Sequence, residues 1–467
     1  MSVTPDDEGF MAAAIRLSRR HLGRTATNPS VGCLIVRDGV IVGQAVTAIG
    51  GRPHAEPQAL AEAGQLARGA TAYVTLEPCS HHGKTPPCAE ALIAYGVARV
   101  VISVTDPDPR VSGRGITMLR DAGIEVDTGA LEAEGRRSLA GYLTRQTKNR
   151  PYVTLKLAVS ADGMIGRAGE GQVTITGPEA RAEVQTLRAE TDAILVGIGT
   201  AISDDPLLTV RTPGLEAQSP IRIVLDPSLA LPLTSKLVAT ARDVPVILVA
   251  SENVSPLAAD AEGIPPSVLP DYRGRATGLD PSFGPPTRGE IDKEHDQNSQ
   301  ADSSSPATED VGQAAIPQPI SLLVGGEARA GEAGPIDPVN RLELRTPGRA
   351  EGGTSPTDAA DLHSRRAVLE AAGVEIVYCN PYHPEVLLPA LATRGISSLL
   401  VEGGAKTARL FLEAGLVDRI QLYHAPVVIG EGGIESPLDA TDIPSGFTHM
   451  GTQMFGVDRL DEYERGL

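Results

Sequence analysis

The sequence predicts an α/β protein of two domains, and three observations carry that expectation. Short apolar runs rich in β-branched residues alternate with segments of helical periodicity over most of the 467 residues. The alternation pauses at Asn149-Arg150-Pro151, which reads as a short linker. It stops altogether between about residues 255 and 363, where Pro, Gly, Ser, Asp and Glu dominate and 292–310 has almost no apolar content. A chain of this length exceeds what one hydrophobic core supports. The expected domains are residues 1–148 and 149–467, the second carrying a flexible acidic insertion at about 255–363.

In order, Glu8 to Leu22 places Phe10, Ala13, Ala14, Leu17 and His21 at three- and four-residue spacing, as an amphipathic first helix does. Asn28-Pro29-Ser30 breaks it. Val31 to Val36 and Val40 to Val46 are β-rich runs joined by Arg37-Asp38-Gly39, a hairpin signal. Gly50-Gly51-Arg52-Pro53 turns the chain into a helix opening with His54-Ala55-Glu56. Strand 72–76 delivers Pro78-Cys79 at its end. Helices 89–95, 115–122 and 131–147 and strands 100–104 and 124–127 complete the first domain.

Tyr152 to Ser160 opens a second sheet, with buried-strand runs at 193–197, 221–226 and 244–250 and a helix at 177–189. Regular pattern resumes with helices at 365–372, 385–393 and 405–414 and strands at 374–378, 398–401 and 419–428. Within the insertion, Pro319 to Val324 is a short apolar piece suited to docking on the domain.

Composition excludes several function classes. A net charge of -18 repels a phosphate backbone, and aromatics at 3% leave little for stacking on bases, so no nucleic-acid partner is expected. There is no apolar run near the length that spans a bilayer, and the opening is acidic where a secretory signal is basic; a cytoplasmic protein is expected. Four cysteines do not make a disulfide scaffold in so long a chain. Cys33 and Cys379 sit in apolar strand runs and read as buried.

The other two carry chemistry. His54, Cys79 and Cys88 supply one imidazole and two thiolates, a three-ligand set that leaves a tetrahedral metal corner open for water. Glu56, two residues from His54, is placed to move a proton from that water to a leaving amine, the logic of zinc deaminases. His-x-Glu alone is weak evidence, as are two cysteines nine positions apart. Their joint occurrence, one opening a helix and the other following a strand, points to a catalytic zinc site.

The motifs His54-Ala55-Glu56, Pro78-Cys79-Ser80-His81-His82-Gly83-Lys84-Thr85-Pro86-Pro87-Cys88 and Asn28-Pro29-Ser30-Val31-Gly32 resemble the deaminase half of the bifunctional riboflavin-biosynthesis deaminase/reductase family. The eight residues between the cysteines, ending in Gly-Lys-Thr-Pro-Pro, separate it from cytidine and nucleic-acid deaminases. The resemblance implies a cytidine-deaminase-like three-layer α/β/α domain. It also implies a diaminopyrimidinone substrate carrying a ribosylamino 5'-phosphate, with Asn28, His81, Lys84, Thr85 and Asp106 facing it. Asp108 stands where the family often has Asn, and Thr47 where a substrate-side His is common.

The segments 156–163, 197–211 and Val401-Glu402-Gly403-Gly404-Ala405-Lys406-Thr407 are similar to the reductase half of the same family, which has a dihydrofolate-reductase-like fold and uses NADPH. By that resemblance Ala158, Thr200, Asp204, Gly404, Ala405, Lys406, Thr407, Ala408, Arg409 and Leu410 face NADPH. Lys156, Arg188, Leu208, Arg211 and Glu402 face the substrate, the arginines suited to its phosphorylated sugar. Gly171-Gln172-Val173 lies where the family commonly has Ser-Gln-Trp, and this chain has no Trp. The expected function is zinc-dependent deamination followed by NADPH-dependent reduction of the ribosyl group to ribityl, in a homo-oligomer. A single-function deaminase with a non-catalytic second domain is the alternative, and an interaction role for the acidic insertion stays open.

Overall fold

The computed structural model describes residues 3–82, 85–109, 111–254 and 356–466. One sheet holds β1 (Gly32–Arg37), β2 (Val40–Val46), β3 (Thr71–Leu76), β4 (Arg99–Val104) and β5 (Glu125–Thr128), in the order β2-β1-β3-β4-β5. β1 is antiparallel to β2 and β3, whereas β3, β4 and β5 run parallel. Asp38 and Gly39 both take positive φ, the geometry a two-residue hairpin demands.

Side-chain alternation along the strands sets the layers. Cys33, Ile35, Val74 and Ile102 face one side, packing with residues of α2 (Ala55–Ala63), α3 (Cys88–Tyr95), α4 (Arg114–Asp121) and α6 (Ala140–Lys148). Leu34, Val36, Tyr73 and Val101 face the other, under α1 (Pro5–Ser18), with α5 (Glu132–Ser138) alongside. The single helix expected over 131–147 is therefore two, divided at Leu139, whose φ of -100° and ψ of 8° are not helical.

The second sheet is built from β6 (Tyr152–Val159), β8 (Ala193–Gly197), β9 (Ile221–Leu225), β10 (Val246–Ala250), β11 (Val374–Tyr378), β12 (Ser398–Glu402), β13 (Arg419–His424), β15 (Phe447–Phe455) and β16 (Asp458–Arg465). Its order is β11-β10-β9-β8-β12-β6-β13-β16-β15, parallel from β11 to β13 and closed by the antiparallel β16 and β15. A separate ribbon pairs β7 (Met164–Arg167) with β14 (Gly433–Glu435). The helices are α7 (Pro178–Ala189), α8 (Ile198–Asp204), α9 (Lys236–Ala239), α10 (Pro356–Ala371), α11 (Pro384–Thr393) and α12 (Ala405–Glu413).

Two features differ from the sequence expectation. α10 covers Pro356–Ala371, so the last part of the expected insertion is helix. The rest of that segment, including Pro319 to Val324, lies outside the described residues. The β15-β16 hairpin escaped prediction because β15 is mostly exposed and shows no apolar alternation. Among the described residues, no helix is long and apolar enough to cross a membrane. Cys33 and Cys379 are buried, as expected.

Candidate metal centre and reductase cleft

His54 is the N-cap residue of α2 and Cys88 the first residue of α3, so two helix N-termini meet at one point. Cys79 reaches the same point from the loop after β3. The ligand atoms of His54, Cys79 and Cys88 all lie within 4.8 Å of one another. His54 Nδ1 is 3.4 Å from Cys88 Sγ and 3.8 Å from Cys79 Sγ, and the Cys88 N–H donates to Cys79 Sγ at 3.3 Å. The hydrogen bond from the Cys88 thiol, with help from His54 and the Cys88 N–H, pulls Cys79 well below the ordinary thiol range. Cys88 is pushed the opposite way, so the pair shares a proton. Two sulfurs and an imidazole crowded around one point, with a thiolate held at a helix N-terminus, form a donor set that fits zinc.

Glu56, 4% exposed on the first turn of α2, lies against this cluster and within hydrogen-bond reach of Cys88. Burial pushes its carboxyl above the ordinary range, with the nearby His54 charge opposing.

The other expected deaminase residues sit around this point to different degrees. The Asn28 amide stands over Gly51, in the turn that leads to His54; a Cβ at Gly51 would lie 2.5 Å from Asn28 Nδ2. His81 is half-buried, its Nδ1 is enclosed without a hydrogen-bond partner among the described residues, and it lines a hollow of about 580 Å³ with Ser80, Ser112, Arg114 and Thr117. Thr85 Oγ1 accepts from Arg52 Nη1 at 3.0 Å, tying the cysteine loop to the turn before His54. Lys84 lies outside the described residues. His82 is exposed and pairs with Glu90 at 2.9 Å.

Asp106 is held from below: the Tyr142 hydroxyl donates to both its oxygens at 3.0 and 3.1 Å, and the Asp108 N–H to one at 2.9 Å. Burial pushes Asp106 up to about 6 in spite of those bonds. Thr47 is buried, and its hydroxyl accepts from the Val31 N–H at 3.0 Å.

Sequence reasoning missed Arg52, Tyr142 and Glu77. Glu77 is buried two residues before Cys79 and accepts from the N–H groups of Asp106, Gly113, Gly115 and Ile116, at 3.1 to 3.3 Å. It thereby fixes both the Asp106 loop and the start of α4 to the cysteine loop. An acidic residue ending an apolar strand beside Pro-Cys was its one sequence signal.

The second cluster forms at the carboxyl ends of β8, β12 and β6, where neighbouring parallel strands deliver their following loops to one cleft. Glu402 ends β12 in register with Lys156 of β6. Arg188 of α7 grips Glu402 through a fork, Nε to Oε1 at 2.9 Å and Nη2 to Oε2 at 3.0 Å. Burial alone would raise the Glu402 carboxyl; Arg188 overrides it and holds the group below its ordinary range. Burial pushes the Lys156 ammonium down, partly offset by Glu402, and Nζ lies 5.5 Å from the Tyr423 ring centre. Arg211 is exposed, with its N–H bonded to Gln185 Oε1 of α7 at 2.7 Å. Leu208, in contrast, buries its side chain in the core with Ile194 and Val224, which leaves only its backbone for a ligand.

Two strand-to-helix turns pack side by side in the cleft. Gly403 takes φ +109°, and a Cβ there would meet Thr200 Oγ1 at 3.0 Å; Thr200 Oγ1 also accepts the Gly404 N–H at 3.0 Å. A Cβ at Gly197 would lie 2.5 Å from Thr407 Oγ1. The two turns thus pack directly on each other at the N-terminus of α12, a strand-to-helix position that suits an anionic cofactor. In α12 Ala405, Thr407 and Ala408 are buried, Leu410 is half-buried, and Lys406 and Arg409 are exposed. Ala158 and Asp204 are half-buried, the latter closing α8. The Gly171-Gln172-Val173 stretch is irregular, with Gly171 at φ +68°.

Comparison with known proteins matches both clusters. Residues 4–104 fit the cytidine and deoxycytidylate deaminase zinc-binding region, and residues 151–260 with 354–459 fit the RibD C-terminal domain. The gap in the second match falls within the expected insertion. The riboflavin biosynthesis protein RibD of Aquifex aeolicus is 45% identical over 247 residues, 53% of this chain and 69% of its own length. That of Haemophilus influenzae is 44% identical over 254 residues, 52% and 68%. The Thermotoga maritima structure of a diaminohydroxyphosphoribosylaminopyrimidine deaminase/5-amino-6-(5-phosphoribosylamino)uracil reductase is 26% identical, covers 99% of both chains and superposes with a TM-score of 0.67. The three-layer zinc domain, the mostly parallel reductase sheet and these matches together place the chain in the RibD family of bifunctional riboflavin-biosynthesis deaminase/reductases.

Proposed function

We propose that the chain performs both steps on one scaffold, deaminating a diaminopyrimidinone ribosylamino 5'-phosphate and then reducing its ribosyl group to ribityl. The carrying observation is the His54-Cys79-Cys88 triangle with the buried Glu56 against it, in a chain that also holds the Arg188-Glu402 fork beside the N-terminus of α12. His54, Cys79 and Cys88 would hold a zinc ion, which would supply the Lewis acidity that makes water nucleophilic near neutral pH. Glu56 takes the proton from the attacking water and gives it to the departing amine, so that water and the exocyclic amine become a carbonyl and ammonia. Asn28, His81, Lys84, Thr85 and Asp106 orient the ring and its phosphorylated sugar.

NADPH bound in the reductase cleft would supply a hydride to C1' of the sugar, with the C1'–O4' bond opening and a proton taken up at O4'. The turn from Gly404 to Leu410, with Ala158, Thr200 and Asp204, holds the cofactor. Arg188, Arg211 and Lys156 hold the anionic sugar, Glu402 keeps Arg188 aligned, and the backbone at Leu208 completes the substrate wall. Ammonia release and NADPH oxidation, followed separately with the diaminopyrimidinone phosphate, test the reading. Both are expected, in that order; ammonia without NADPH oxidation would reduce the protein to a single-function deaminase.

A further inference from the structure

We propose that Arg222 is a positioning residue of the reductase cleft, holding the 207–211 segment so that it meets Arg188; this rests on the reductase reading above. Arg222 lies on β9 and is fully buried. Its Nη1 donates to Leu207 O at 3.1 Å and Thr240 Oγ1 at 2.8 Å, and its Nη2 to Thr240 O at 2.9 Å and to Val244 O. These acceptors are three carbonyls and a hydroxyl from two segments, the 207–211 turn and the 240–244 turn, and none is a carboxylate. Burial pushes the guanidinium down to about 10, so the position carries a real electrostatic cost.

What that cost secures is the shape of the following turn. Leu208, next to the gripped carbonyl, has φ +55°, a conformation a leucine does not hold without support. Its side chain anchors in the core, and the chain beyond it is pinned twice on α7. Thr209 O accepts from Arg188 Nη1 at 3.3 Å, and the Arg211 N–H donates to Gln185 at 2.7 Å. Arg222 thus acts on the substrate arginines through Leu207, the strained Leu208 and Thr209. A planar fork with donors in fixed directions spans the two segments; an ammonium does not.

The deaminase on the same chain is the internal folding control. Arg222→Lys keeps the charge and the fold and loses the fork. It is expected to raise the KM of the reduction step about tenfold, the effect of losing a hydrogen bond or two to a charged donor. Ammonia release and NADPH affinity are expected to stay within about twofold, because neither site touches this turn. Arg222→Met should show the same split more strongly; if it does not fold, the Lys variant decides alone. An unchanged KM in Arg222→Lys overturns the proposal, as does a proportional fall of ammonia release, NADPH affinity and reduction. Absence of NADPH oxidation in the unaltered protein would instead refute the reductase reading.

Discussion

The two sites solve the problem of placement in opposite ways. The metal centre is made of side chains: three donor atoms within 4.8 Å, carried by two helix N-termini and a loop. The reductase cleft is made largely of backbone, with close-packed glycine turns after parallel strands, and one fork, Arg188 to Glu402, that joins positions 214 residues apart. Side chains that bind a metal must be of particular types, so they leave a mark in the sequence. A backbone cradle needs only small residues and a correct path, and many turns share that composition.

The contrast is open to test. The largest effect is expected from Glu56→Gln, which should retain zinc by metal analysis and lower ammonia release about 10²- to 10⁴-fold, leaving reduction of the deaminated substrate unchanged. Arg188→Ala strands the buried Glu402 carboxylate, a loss of about 3–5 kcal/mol, and should lower kcat/KM of reduction on the order of 10²- to 10³-fold with ammonia release intact. Loss of both activities in either variant would show that the sites are not separable.

A smaller effect is expected from pH. Asp106 is raised to about 6, so it is ionised above that pH and protonated below it. The KM of deamination should therefore climb as pH falls through about 6, and Asp106→Asn should flatten the profile. The same shift has a stability sign: the folded form binds the extra proton between the ordinary 3.8 and about 6, so this group's contribution falls as pH rises through that window. A thermal melt of Asp106→Asn against pH measures it. The smallest effect is expected from replacing residues 261–353 with a short linker, because the family match flanks that stretch and β10 and β11 pair directly. Both activities should stay within about twofold.

Much of the framework was legible from periodicity: β2, β8 and β11 fall on the residues expected, and the strand alternation separates the two faces of the first sheet. The triangle of His54, Cys79 and Cys88 was legible because thiol, imidazole and carboxylate together have few other uses. The Tyr142 support of Asp106, the Glu77 anchor and the Arg52-Thr85 tie were not, because each is a pairing across 29 to 39 residues between groups that are ordinary by themselves. Leu208 was read as a substrate contact, and its side chain is in the core. Resemblance marks a position and leaves open which of its atoms acts.

By itself, then, the sequence determined the α/β class, most of the strands and the one imidazole and two thiols that come together as a candidate metal site, since these depend on local propensity and on residue identity. Only the tertiary structure decided which carboxylates are buried and what holds them, that β8, β12 and β6 lie side by side, and that an arginine without a carboxylate shapes the turn beneath the substrate arginines. Those properties depend on which distant segments share a dry interior, where an unpaired charge or donor is costly and every partner must come from elsewhere in the chain.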